Sequence, residues 1–171
     1  MRFQLLLIPA AIIGAATPAT AKVFMMPDEA RARLFPGATF AATPLTLTES
    51  QSRNIGQEAR AAVHTPEVKA WRVSSGGWFI VDQVEGKDDW VTYAVALSPD
   101  GAVQGIEILE CAADYDTVTM PRWRAQFLGA KPGDKLSNVQ TISGSTLSSR
   151  HITEGVRRIL STYALVLKNR D

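Results

Sequence analysis

The sequence predicts an α+β fold: a curled antiparallel β-sheet with flanking helices, in a single domain. Four central runs are rich in aromatic and branched residues: Trp71 to Val73, Trp78 to Val84, Trp90 to Leu97 and Ala102 to Glu110. The breaks between them are short, and parallel crossovers need about a dozen residues or more, so pairing should be antiparallel. Beyond them, Ile152, Val156, Ile159, Leu160, Tyr163 and Leu167 recur on one helical face near the end of the chain.

Taken in order, the chain opens with Met1-Arg2, an apolar run from Phe3 to Ala16, and Ala19-Thr20-Ala21. A basic start, a short apolar core and an Ala-x-Ala site make residues 1–21 a secretory signal peptide. The product is then exported, in a periplasm-like compartment. The run is short for a membrane span and broken by Pro9, so an uncleaved, membrane-associating anchor is the second reading. Cutting after Ala21 leaves 150 residues with 17 basic and 17 acidic side chains. That balance argues against nucleic acid as a partner. Cys111 is the single cysteine, so no internal disulfide forms, and a small packed side chain is expected there.

Residues 22–65 read as an N-terminal helical segment. Pro27 to Phe35 is a short helix, with Pro27 in its first turn, Asp28 and Glu29 suited to the dipole, and Pro36-Gly37 as its stop. Thr48 and Gln51 form a capping box that should open a second helix running to about Ala62. Of the strand runs, the last two are joined by Ser98-Pro99-Asp100-Gly101, which has proline and glycine where a tight turn needs them. Trp90 to Leu97 shows little polar alternation, as expected of a sheet covered on both faces or curled around a helix. Met120, Trp123, Phe127 and Leu128 then mark one side of a helix begun near Thr119-Met120-Pro121 and closed by Gly129.

The most informative stretch is Ile142-Ser143-Gly144-Ser145-Thr146-Leu147-Ser148-Ser149, placed at the mouth of the last helix. Ser148 or Ser149 is the expected N-cap, and the opening amides lack intrahelical partners. Those amides and the helix dipole attract a phosphate or another anion, and Arg150 could fold back to the same point. The residues alone favour a hydroxyl-rich loop that only caps a helix over a phosphate site.

Ser143-Gly144-Ser145-Thr146-Leu147-Ser148-Ser149 resembles the Ser-Gly-Ala-Thr-x-Thr/Ser-Ser attachment motif of the FMN-binding domain family. That family includes the C subunit of the sodium-pumping NADH:quinone oxidoreductase and the G subunit of the Rnf complex. The resemblance implies an FMN phosphoester on Thr146, installed by a flavin transferase that uses FAD, with the domain spanning 66–171. Ser145 replaces the family's alanine, and Gln140 replaces an aspartate that the transferase reads in relatives. Glu110, Trp123, Gln126, Phe127 and Gly129 match an acidic strand end followed by a Trp-x-x-Gln-Phe-x-Gly helix. The loop between differs from the family's, and Tyr115 is the candidate to stack on a flavin ring. The opening Val23 to Ala30 and Phe35 to Ala38 also resembles exported members.

Other chemistries find little support. His64 and His151 are the two histidines, and His151 should lie exposed in the first turn of the last helix. With one cysteine there is no basis for a cluster, a haem attachment or a cysteine-rich metal site. No Gly-x-Ser-x-Gly elbow, Gly-x-Gly-x-x-Gly or P-loop occurs. The resemblance therefore implies a one-flavin electron carrier between membrane or periplasmic redox proteins, rather than a stand-alone enzyme. The alternatives are a noncovalent FMN protein and an exported, FMN-free binding module that uses the Ser/Thr-rich loop.

Overall fold

The computed structural model of this chain describes residues 21–86, 89–112 and 117–170. Residues 1–20 of the expected leader, and Tyr115 with its neighbours, lie outside the described residues.

The turn at Ser98-Pro99-Asp100-Gly101 forms as its residues dictate. Gly101 takes φ +82°, and Ser98 Oγ accepts from Ala102 N at 2.9 Å while Ser98 N donates to Ala102 O at 2.8 Å. It joins β6 (Trp90–Leu97) to β7 (Val103–Ala112). β5 (Trp78–Glu85) pairs with β6 along its whole length, and β4 (Glu67–Val73) pairs with β5. Three short strands complete the sheet: β1 (Ala21–Val23) on β7, with β2 (Phe40–Ala42) and β3 (Leu45–Thr46) on β4. All pairings are antiparallel, in the order β1-β7-β6-β5-β4-β2 with β3 also against β4. The strand expected from Trp71 starts at Glu67, and the one expected to stop at Glu110 reaches Ala112.

Both faces are covered, which explains the lack of alternation in β6. On one side α1 (Pro27–Leu34) lies over Phe35, Phe40, Trp71, Phe79, Ala94 and Ala96, with the Arg31 guanidinium 4.3 Å from the Trp71 ring. On the other, α2 (Glu49–Ala59) and α4 (Thr146–Thr162) cover Ile80, Val84, Tyr93, Val95 and Ile108. The Thr48 capping box closes as expected, Gln51 N donating to Thr48 Oγ1 at 3.2 Å and Thr48 N to Gln51 Oε1 at 2.8 Å. α2 stops at Ala59, short of Ala62, because Arg60 turns left-handed at φ +49°. There Arg157 Nε donates to Ala59 O at 2.9 Å and Arg158 Nη1 to Ala62 O at 2.6 Å.

The expected helix near Trp123 is shorter: α3 (Pro121–Arg124) gives way to a 3₁₀ turn, Ala125–Phe127. The tighter winding keeps Trp123 and Phe127 buried but rotates Leu128 outward to 55% exposure. Cys111 is fully buried, as a packed side chain should be.

α4 and the π-helical turn that continues it, Tyr163–Leu167, together bury all six expected apolar residues. The approach of α4 to the sheet is set by Gly155. A Cβ there would run into Tyr93 Oη and lie 2.9 Å from Val84 Cγ1. Gly155→Ala is therefore expected to destabilise by about 1–3 kcal/mol despite alanine's better helix propensity. The urea midpoint checks this, and an unchanged or higher midpoint would contradict the tight approach.

Candidate functional site

The first turn of α4 and the loop before it form the site. Ile142 to Ser145 is a tight turn, with Ser145 N donating to Ile142 O at 3.0 Å. Gly144 holds its third position at φ +86°, a backbone state that side chains rarely tolerate. That turn fixes where the helix begins. The N-cap is Ser145, rather than the expected Ser148 or Ser149, and α4 starts at Thr146 itself. Ser149 N, donating to Ser145 O at 3.0 Å, opens the backbone ladder, so the amides of Thr146, Leu147 and Ser148 precede it.

The hydroxyls divide by role. Thr146 is exposed, and its Oγ1 makes one bond, donating to Ile142 O at 3.2 Å. Ser143 and Gly144 are exposed beside it, and Leu147 is half-buried. Ser149 Oγ is structural: it accepts from Ile142 N at 3.3 Å and donates to Thr146 O at 3.1 Å. Ser145 Oγ lies 2.5 Å from Thr117 Oγ1, tying the loop to the segment that follows β7. Ser148 Oγ is different. Its residue is 1% exposed, and the hydroxyl has no hydrogen-bond partner. An orphaned buried hydroxyl costs about 1–3 kcal/mol.

Arg150 does not fold back to the helix start. Its Nε lies 3.9 Å from Glu154 Oε1, one turn further on, the usual i,i+4 geometry on a helix surface. His151 is half-buried rather than exposed: Nδ1 is 2.7 Å from Glu85 O, and Nε2 is 3.3 Å from Arg150 Nη2. A neutral ring protonated on Nδ1 satisfies both contacts. Among the described residues no group of His, Cys, Asp or Glu could hold a metal.

Trp123 and Gln126 act on the loop through one residue. Trp123 Nε1 donates to Gln140 O at 2.8 Å, and Gln126 Oε1 accepts from Gln140 N at 2.9 Å. The two side chains thus hold both backbone groups of Gln140, just before the hydroxyl turn. Trp123 is buried and packs edge-on against Phe127, 5.2 Å between ring centres. Behind this, Arg124 anchors the post-β7 segment, Nε donating to Thr119 O at 3.1 Å while its Nη1 pairs with buried Glu107 at 2.5 Å. Glu110 sits elsewhere. It faces Thr92 and Val23 in the sheet and lines a recess of about 260 Å³ with Gln83, Asp89 and Trp90.

Gln126→Ala is expected to leave Gln140 N unpaired and loosen the turn. Amide exchange at Gln140 and Ser145 should accelerate about fivefold or more, for a lost hydrogen bond of about 1 kcal/mol. Unchanged exchange would show that the loop holds itself.

Residues 86–161 match the model of the FMN-binding domain family. No curated protein matches the chain significantly. The matched span runs from the β5–β6 connection to the last turn of α4, and includes the Gln140 clamp and the Thr146 turn.

Proposed function

From a chain that belongs to the FMN-binding domain family through residues 86–161, with FMN as its cofactor, we propose an exported electron carrier with FMN esterified to Thr146. The observation that carries this is the exposed Thr146 hydroxyl in the first turn of α4, beside helix-start amides that precede the backbone ladder. The residues fit a phosphate. Thr146 would supply the ester oxygen, and the amides of Thr146, Leu147 and Ser148 would face the remaining anionic oxygens. Attachment exchanges one phosphoester for another: Thr146 Oγ1 bonds to the FMN phosphorus of FAD, and AMP leaves with the hydroxyl proton. Bound flavin supplies reversible one- and two-electron chemistry. The chain holds it, orients it and keeps it from being lost.

Retention favours the covalent form. The leader-like start of the sequence supports export, and a dissociated cofactor outside the cytoplasm is diluted away. The partners that follow are a flavin transferase and membrane or periplasmic redox proteins. After co-expression with a transferase and denaturation, yellow fluorescence should travel with the polypeptide. Flavin that washes out on denaturation would support the second reading, noncovalent FMN. Gln140 is the residue that favours that alternative, because its exposed side chain stands where relatives offer a carboxylate. Its backbone is clamped whatever side chain it carries, so Gln140→Asp is expected to raise attachment without moving the loop.

A further inference from the structure

A second cavity, away from Thr146, lies between the β4–β5 surface and the second half of α4. Its volume is about 470 Å³, in the range of small-molecule sites. Half-buried Val63 and Val68 give it apolar surface, with Leu47, Ile80 and Ile159 packed behind them. At its exposed rim His64 and Trp90 meet edge to face, 6.1 Å between ring centres. Arg158 reaches it some 18 Å along α4 from Thr146, at about 1.5 Å rise per residue. This is a different site from the flavin loop.

The polar wall is a neutral pair with donors to spare. Arg158 Nη2 donates to Asp82 Oδ2 at 2.7 Å and to Gln83 O at 3.1 Å, and Nη1 donates to Ala62 O at 2.6 Å. A guanidinium has five N–H groups, so the Nε–H and one Nη1–H are left without a described acceptor. Asp82 already balances the charge, and Glu67 and Lys69 offset each other at the rim. Half-buried aliphatic side chains, aromatic edges at the mouth and spare donors beside a neutralised charge fit one kind of molecule. We propose that this cavity binds an uncharged aromatic carbonyl compound of one or two fused rings, its oxygen accepting from Arg158 and its ring lying against Val68 and the Trp90 edge.

The test titrates the full chain with chromone, a bicyclic carbonyl, and with naphthalene, which has the rings but no acceptor. Nuclear magnetic resonance follows the Trp90 indole N–H, identified by its loss in Trp90→Phe. Chromone should saturate at one site, shift the Trp90 signal and bind about tenfold tighter than naphthalene. Val68→Trp, which fills the cavity from its half-buried wall, should lose that binding, and Val63→Phe, also half-buried there, does the same if the first variant fails to fold. Thr146→Val should bind chromone as the parent does, which separates this site from the flavin reading. No saturable binding, equal affinity for naphthalene, or shifts confined to residues away from Trp90 would each overturn the assignment.

Discussion

Arg158→Met is expected to lower stability by about 3–5 kcal/mol, a large part of the roughly 5–15 kcal/mol that holds a domain together. Arg158 is the hub of the α4–sheet contact. Its guanidinium pairs with Asp82, and Asp82 Oδ2 also accepts from Tyr93 Oη at 3.0 Å. Removing the cation leaves a carboxylate and a phenol beneath a helix with nothing to balance them. The same network gives a pH signature. Burial, and then the Asp82 charge, push the Tyr93 phenol well above its ordinary value near 10. The folded chain therefore holds this proton where the unfolded chain has lost it. This contribution is intact below pH about 10 and falls as pH rises beyond that. Tyr93→Phe should flatten that alkaline loss in urea titrations. An alkaline slope unchanged in Tyr93→Phe would place its origin elsewhere.

The second large effect is on the cofactor. Thr146→Val should abolish flavin that survives denaturation, while Thr146→Ser, which keeps a hydroxyl, should retain it. Because Thr146 is exposed and its hydroxyl bonds to Ile142 O alone, the valine variant should cost within about 0.5 kcal/mol in stability. Loss of flavin with an unchanged melting curve is thus the informative outcome. Fluorescence equal to the parent in Thr146→Val would move the attachment to another residue.

How much of this could be read in the sequence depended on range. Local chemistry was legible: the Thr48–Gln51 box, the Ser98–Gly101 turn and the apolar face of α4 each rest on residues within a turn or two of one another. The edge strands were not. β2 and β3 are three and two residues long, and pairing with β4 holds them rather than any propensity of Phe40–Ala42 or Leu45–Thr46. The N-cap was missed because three neighbouring serines are chemically equal candidates. The positive φ of Gly144 settles the choice, by ending the turn at Ser145. The Trp-x-x-Gln pattern was visible as a likeness, but its task was not, since Gln140 lies 17 and 14 residues away from its two holders. Ser145 looked like a conservative stand-in for alanine, yet its hydroxyl reaches Thr117 across 28 residues. The Arg158 cavity draws on α2's flanks, β4, β5 and α4, and no periodicity in one segment can announce it.

Trypsin cuts after Lys135 and Arg150, releasing Leu136 to Arg150 with the whole hydroxyl turn inside it. Fragment mass spectrometry of that peptide, from protein exported by its own host, puts the account at its most exposed point. One FMN phosphoester located on Thr146 is the predicted result. A bare peptide, or the same mass on Thr141 or Ser143, would contradict it.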